Sequence, residues 1–213
     1  MIQQRDNPIV ETPTLHEFWK DFGEFPPYYF VRKEEVVFWK VIKKLKLTIE
    51  QRRIVIVGSP GVEKSCFLML IAFYLACIKK RRVLVIRRSK KRFLKNAVEY
   101  FNGQGCYARL TNLAPNEINA IRRQVEGAFV LVDGYDQKDG EMDNELEPFH
   151  FLATSGQYDA KHNDSARVVV LPAWRDTDLL QYAKLTNRAT ETDLRTIERY
   201  DTPIAKLVKE QYL

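Results

Sequence analysis

The chain contains short runs of consecutive apolar residues, rich in valine and isoleucine, that are separated by longer amphipathic stretches. Residues 54–57, 83–86 and 128–132 form three such runs. Because strands with one solvated face alternate apolar and polar residues, unbroken runs indicate strands that are buried on both faces, as in parallel sheets. Residues 149–154 and 168–171 predict two further strands.

The stretches between these runs predict three helices, at residues 32–45, 64–78 and 114–126. A shorter helix near the N-terminus is expected to be capped by Thr14. Asn102-Gly103 lies between two strand-like segments and predicts a hairpin, because this dipeptide accepts positive φ angles. Strands that alternate with helices predict a mainly parallel, doubly wound α/β sheet flanked by helices, in which ligands bind at the carboxyl ends of the strands.

Three regions follow from this pattern: an N-terminal arm at residues 1–31, a core at 32–175 and a helical C-terminal tail at 176–213. Pro26 and Pro27 exclude a helix at that point of the arm, whose aromatic residues are expected to pack against the flank of the core. The tail is interpreted either as the start of a lid or as a truncated remnant.

The composition is typical of one folded domain: of 213 residues, 45% are apolar and 29% charged, so a core can form without disulfides or a structural metal. The odd number of cysteines, three, argues against a disulfide framework. Cys66 and Cys77 lie in the most apolar segment and are expected to be buried thiols. The N-terminus lacks a signal peptide's apolar run, and the longest apolar stretch, residues 66–78, is too short to cross a bilayer, so no membrane partner is predicted.

One segment matches a phosphate-binding pattern at all but one of its fixed positions. It reads Gly58-Ser59-Pro60-Gly61-Val62-Glu63-Lys64-Ser65-Cys66, between a predicted buried strand and a predicted helix. The Walker A pattern is glycine, four residues, glycine, lysine, then serine or threonine. In that pattern Lys64 neutralises the terminal phosphates, Ser65 binds Mg²⁺, and the helix N-terminus attracts the anion. The sequence therefore predicts a P-loop NTPase fold that binds ATP and Mg²⁺ through residues 58–66.

The departure from the pattern is Glu63, which stands where the second glycine is required. A side chain at such a position is expected to strain the backbone, at a cost of roughly 1–3 kcal/mol. Its carboxylate would also repel the phosphates unless the side chain points outward. Two interpretations follow: an ATP-binding loop weakened by Glu63, or a degenerate loop that keeps the fold and has lost the ligand.

A second candidate site is Asp133, which follows four apolar strand residues as in the Walker B motif. A carboxylate there is expected to join the Mg²⁺ shell held by Ser65. Many ATPases have glutamate next, to polarise the attacking water, but this chain has Gly134. Asp136 is therefore the candidate catalytic base beside Asp133, whereas Asp139 is assigned to a solvated acidic loop.

Three further residues are candidate sensors of the γ-phosphate. Thr154 and Ser155 end a predicted strand, where serine and threonine also commonly form turns. Arg175 begins the helical tail and would either contact the γ-phosphate or cap the edge of the sheet.

Four segments resemble the P-loop domain of Crinkler effectors, which are secreted oomycete proteins related to retrotransposon hot spot proteins. These segments are residues 58–70, 83–88, 131–137 and 171–175. The resemblance extends from about Tyr29 to about Tyr182. Beyond the loop, its most specific part is the block Asp133-Gly134-Tyr135-Asp136.

The resemblance implies an ATPase module of a secreted effector that acts in the host cell nucleus and modulates host cell death or immunity, with host proteins as partners. Such modules often stand beside a nuclease-like module, and family members usually have glycine at the position of Glu63. The family's N-terminal translocation segment and nuclease-like module have no counterpart here, so the chain is expected to be a fragment or a shortened, inactive relative.

Ten basic residues fall between Lys79 and Lys95, in runs centred on 79–82 and 87–92. One interpretation of this basic cluster is a nuclear import signal or a nucleic-acid contact. The alternative is a solvated rim, since cations are favourable at a helix C-terminus. Trp174 and Tyr182 are expected to pack in the core and not to stack on bases.

Two functions remain open from the sequence. One is Mg²⁺-dependent ATP hydrolysis that uses the loop and the acidic strand end. The other is a catalytically inactive P-loop scaffold that binds a host protein or nucleic acid, and Glu63 is the feature that favours it.

Overall fold

The computed structural model describes residues 8–23, 25–48, 53–59, 61–88, 96–135, 149–154, 158 and 166–186. Its strands are β1 (Ile9–Glu11), β2 (Tyr28–Phe30), β3 (Ile54–Val57), β4 (Val83–Arg87), β5 (Asn96–Phe101), β6 (Tyr107–Leu113), β7 (Phe129–Asp133), β8 (Phe151–Ala153) and β9 (Arg167–Val170). Its helices are α1 (Pro13–Gly23), α2 (Lys33–Thr48), α3 (Lys64–Phe73), α4 (Pro115–Gln124) and α5 (Asp176–Thr186).

Seven strands form one sheet in the order β6-β5-β4-β7-β8-β3-β9. The five from β4 to β9 in that order pair in parallel, while β5 and β6 pair antiparallel at one edge. The predicted α/β fold with a mostly parallel sheet is therefore confirmed. The order also places β8 between β3 and β7, so that three consecutive parallel strands end at the same edge.

Successive side chains along the central strands enter two different cores. Ile54 packs in the cluster that contains Phe67 of α3, whereas the adjacent Val55 joins the cluster that contains Ile118 of α4. Because side chains alternate across a strand, helices must cover both faces of the sheet. This two-sided burial explains why the strand segments are apolar at every position.

The segment before the core is structured where it is described. β1 and β2 pair antiparallel, and α1 lies between them in the sequence. Trp19 and Phe25 are fully buried in the same cluster as Ile54, so these aromatic residues belong to the main core. The predicted cap at Thr14 is wrong by two residues: α1 begins at Pro13, and the amide of His16 donates to the carbonyl of Thr12.

Other elements match their predictions with local differences. β5 and β6 form the predicted hairpin, and the side chain of Asn102 accepts hydrogen bonds from two amides inside the turn. The predicted continuous helix at residues 64–78 instead changes at Tyr74 into a π-helical turn that ends at Ile78. Cys77 lies in this surface turn and is exposed, so its predicted burial is wrong, whereas Cys66 is partly buried.

The predicted helical tail is present as α5, and residues 187–213 lie outside the described part of the chain. Trp174 contacts Phe30 and Tyr182 with ring centroids 5.5 Å apart in both pairs, as expected for packing residues. Within the described residues, no helix is both long and apolar enough to span a bilayer.

Candidate nucleotide site at the carboxyl edge of the sheet

The loop that follows β3 turns sharply at glycine. A Cβ atom on Gly58 would lie 2.7 Å from the carbonyl oxygen of Leu171, closer than nonbonded atoms approach, so a side chain cannot be placed there without moving the backbone. Gly61 has a φ of 80°, in the left-handed region that glycine adopts without strain. Gly58 and Gly61 are therefore glycine for different reasons, a close approach of the backbone at Gly58 and a positive φ at Gly61. Pro60 lies outside the described residues.

Glu63 is the residue immediately before α3, and its backbone is left-handed, with φ 61° and ψ 32°. This conformation costs a residue with a side chain roughly 1–2 kcal/mol and costs glycine little. The chain thus keeps the backbone geometry that suits glycine although the glycine has been replaced. The strain that the sequence argument expected at this position is present.

The carboxyl group of Glu63 lies in a poorly solvated, acidic environment. Burial, and then the neighbouring carboxyl of Glu35, raise the pKa of Glu63 to about 7, while Arg32 opposes the shift. Burial disfavours the charged form of a carboxyl group, and a second carboxylate nearby adds to the effect. Near neutral pH, Glu63 therefore exists as a mixture of neutral and charged forms.

Lys64, the first residue of α3, is buried with 8% of its surface exposed. Its ammonium group donates hydrogen bonds to the carbonyls of Gly58 at 2.8 Å and Ser59 at 2.7 Å. The loop therefore curls around the lysine charge. An anion that binds the loop would meet this charge together with the amide-rich N-terminus of α3.

Ser65 and Asp133 are 68 residues apart in the sequence and in direct contact in the fold. The hydroxyl of Ser65 donates to Oδ1 of Asp133 at 2.8 Å. Asp133 is the last residue of β7 and has only 3% of its surface exposed. The two motifs that the sequence analysis singled out separately therefore meet at one edge of the sheet.

Arg87 is a member of this site that sequence reasoning missed. It ends β4, directly opposite Asp133 in the parallel register of β4 and β7. Its Nε lies 3.1 Å from Oδ2 of Asp133, and both side chains are largely buried. In the sequence Arg87 stands within the basic cluster, and the strand register that aligns it with Asp133 cannot be read from one chain segment.

Two oxygen atoms of the kind that Mg²⁺ binds lie next to each other, since the hydroxyl oxygen of Ser65 is 2.8 Å from Oδ1 of Asp133. Within the described residues, no group of three or more histidine, cysteine or acidic side chains could hold a metal. Further ligands would have to be phosphate oxygens and water, as is usual for this ion.

The candidate sensor residues differ in position. Thr154 follows β8, is buried, and its amide donates to the carbonyl of Ile56 on β3, so it lies at the same edge as the loop and Asp133. Arg175 instead forms an ion pair with Glu34 of α2 and is mostly exposed. Ser155 and the candidate base Asp136 lie outside the described residues.

A buried network centred on Arg32 supports the loop from behind. Arg32 donates to the carboxylate of Glu35 at 2.9 and 3.0 Å, to the carbonyl of Pro172 at 2.8 Å, and to the carbonyl of Val62 at 3.3 Å. Tyr29 donates to the other oxygen of Glu35. Through these hydrogen bonds, one guanidinium connects the start of α2 with the candidate phosphate-binding loop and with the segment after β9. A buried arginine leaves no pattern in a single sequence.

The basic cluster is divided by β4. Residues 79–82 precede the strand and are exposed, while Arg87 ends it, Arg88 follows it, and both are partly buried. Residues 89–95 lie outside the described part of the chain. Within the described residues, the exposed part of the basic cluster is therefore the four-residue run before β4.

Comparison with models of known protein families and with curated proteins finds no match.

Proposed function

We propose that this chain is a P-loop NTPase-type module that binds ATP at the loop formed by residues 58–65. The observation that carries the proposal is the contact between Ser65 and Asp133 at 2.8 Å. It joins the residue after the motif lysine to an acidic strand end across an intervening strand. This is the arrangement in which a helix N-terminus, a lysine and a carboxylate converge on a bound triphosphate.

Binding requires exchange of partners for Lys64. Its ammonium donates to two loop carbonyls, and phosphate oxygens would replace them as stronger, charged acceptors. The amides at the start of α3 would orient the phosphates. Mg²⁺, if bound at Ser65 and Asp133, would supply charge neutralisation of the terminal phosphates.

Turnover needs a base that the position after Asp133 does not supply. Gly134 has a φ of 79°, and a Cβ there would lie 2.6 Å from the carbonyl oxygen of Arg88. A glutamate at that position would therefore require the backbone to shift. Asp136 stays the proposed water-positioning acid, with Thr154 as the sensor that lies at the correct edge; Arg175 would have to leave Glu34 to take part.

The resemblance to Crinkler effectors extends the proposal to biology: a secreted protein that acts in the host cell nucleus on host immunity or cell death, through host-protein contacts. The fold supports this resemblance in one respect. The segment at 171–175 packs beside the loop, since Leu171 lies against Gly58 and Pro172 accepts a hydrogen bond from Arg32. Segments that are distant in sequence and that carry the resemblance thus lie around one site.

A second candidate function is a P-loop scaffold that no longer binds nucleotide and acts through host proteins or nucleic acid. The left-handed backbone and the poorly solvated carboxyl of Glu63 favour it. For nucleic acid, the exposed run Lys79, Lys80, Arg81 and Arg82 is the proposed contact surface. Binding through these residues must weaken as salt is added, and salt-insensitive binding would contradict it.

Thermal melting with and without ATP and Mg²⁺ distinguishes the two functions. Ligand at 100 times Kd stabilises the folded state by about 2.7 kcal/mol, which raises the midpoint by roughly 5–10 °C in a chain of this size. Lys64→Ala should abolish the shift, and Lys40→Ala, an exposed lysine on α2, should retain it. No shift at millimolar ATP would remove the nucleotide-binding proposal and leave the scaffold.

A further inference from the structure

The carboxylate that would join the Mg²⁺ shell already has a permanent cation against it. Asp133 accepts the Ser65 hydroxyl on Oδ1 and contacts the Arg87 guanidinium through Oδ2 at 3.1 Å. Both oxygens of the carboxylate are thus engaged by the protein. An arginine keeps its charge at any pH at which the protein folds.

Resting on the proposed function, we infer that Arg87 supplies at this site the positive charge that a divalent cation supplies elsewhere. The chain therefore binds nucleoside triphosphate without needing Mg²⁺. Arg87 is a specificity-determining residue for the metal-free nucleotide.

The position of Arg87 is fixed by the sheet. It pairs in register with Asp133 on one neighbouring strand and with Ala97 on the other. Its side chain is only 14% exposed, so the guanidinium is held among packed groups and is not a solvated surface charge. Because the guanidinium is already held in place, little conformational entropy is lost when an anion binds to it. This is what a preorganised binding group requires.

A second acidic residue near Arg87 lies on β5, the other strand that pairs with β4. Glu99 on β5 is fully buried and pairs with Arg109 of β6. Arg87 also acts on Glu99 electrostatically, because it opposes the burial that raises the pKa of Glu99. Arg87 therefore interacts with two buried acidic residues, Asp133 and Glu99, and its positive charge offsets their negative charge.

The charges of the side chains at the site determine whether nucleotide binding requires a metal ion. Lys64 is held by the loop, and Arg87 is linked to the loop through Asp133, whose other oxygen accepts the hydroxyl of Ser65. A dication placed on Oδ1 of Asp133 would repel the guanidinium on Oδ2 of the same carboxylate. Because arginine recognises phosphate through several N–H donors in one plane, it suits the γ-phosphate as well as the carboxylate.

Equilibrium dialysis of labelled ATP against the full chain, in Mg²⁺ buffer and in EDTA buffer, tests the inference. Wild-type Kd values in the two buffers are expected to agree within about threefold, since 1.4 kcal/mol would already be tenfold. Arg87→Gln should weaken binding in EDTA by about tenfold or more, and Mg²⁺ should restore it. Arg87→Lys keeps the charge but loses the planar set of donors, so its Kd in EDTA should lie between those of wild type and Arg87→Gln. Arg81→Gln removes an exposed charge before β4 and should change the Kd equally in the two buffers.

The outcomes are separable. Wild-type binding that is lost only in EDTA overturns the inference and leaves the proposed function intact, and this result needs no variant. Binding in neither buffer overturns the proposed function and the inference together. If Arg87→Gln binds with the same Mg²⁺ dependence as wild type, Arg87 does not take the role of the cation, and the inference fails on that count.

Discussion

Replacing Glu63 by glutamine tests how much the carboxyl group at the end of the loop destabilises the fold. Glutamine keeps the size and the left-handed backbone of the position and removes the ionisable group. Burial disfavours the charged form of the Glu63 carboxyl most, the neighbouring Glu35 adds to this effect, and Arg32 opposes it. The variant therefore isolates the electrostatic effect of Glu63 from the backbone strain, which both chains share.

The magnitude follows from the pKa of Glu63, which is about 7 in the folded chain against an ordinary value of 4.5. Each unit of difference corresponds to 1.36 kcal/mol, so a charged Glu63 lowers stability by about 3 kcal/mol above the folded pKa. Below pH 4.5 both states are protonated and the penalty vanishes. Between these values the unfolded chain ionises first, and wild-type stability falls as the pH rises.

Urea unfolding at pH 5, 6, 7 and 8 measures this difference. Glu63→Gln is expected to exceed wild type by under about 1 kcal/mol at pH 5 and by about 3 kcal/mol at pH 8. Glu126→Gln replaces an exposed carboxylate and serves as the matched control, with no comparable pH trend. An advantage of Glu63→Gln that is equal at pH 5 and pH 8 would refute the reasoning, since it could not come from ionisation.

Two further substitutions test the packing of the loop by urea unfolding. Arg32→Met leaves the Glu35 carboxylate buried without its cation and removes donors to Val62 and Pro172, so a loss of about 3–5 kcal/mol is expected. Arg32→Lys should recover part of it. Gly58→Ala places a methyl group 2.7 Å from the Leu171 carbonyl and should cost about 1–3 kcal/mol. For either residue, a loss below about 0.5 kcal/mol would contradict the contacts described.

The strands were predictable because two-sided burial leaves an unbroken apolar run, as in Ile54–Val57. The hairpin was predictable because Asn102 and Gly103 form a local turn signal. Both signals are contained within a few residues. By contrast, β1 and β2 are three residues long, too short to show a period, and the π-helical turn Tyr74–Ile78 contains no glycine or proline that would mark it in the sequence.

The candidate site was predictable to the extent that its residues belong to local motifs. Lys64 and Ser65 are predicted by the loop pattern, and Asp133 is predicted by the apolar strand that precedes it. The fold brings Ser65 and Asp133 into contact. Arg87 and Arg32 were missed because each acts through partners that are distant in sequence. In a sequence, a charged residue in a basic run indicates a solvated surface, and only the register of β4 against β7 places Arg87 on Asp133.

The loop keeps its shape despite Glu63 because other contacts act on the residues beside it. The left-handed conformation of Glu63 costs roughly 1–2 kcal/mol, and Arg32 donates to the carbonyl of the preceding residue, Val62. Hydrogen bonds to charged groups contribute about 1.5–3 kcal/mol each, and since this one is long, at 3.3 Å, it offsets part of the strain. Glu63 therefore affects the site less through its strained backbone than through the charge of its carboxyl group. Since that charge develops near neutral pH, any anion bound at the loop should be held more tightly at pH 6 than at pH 8.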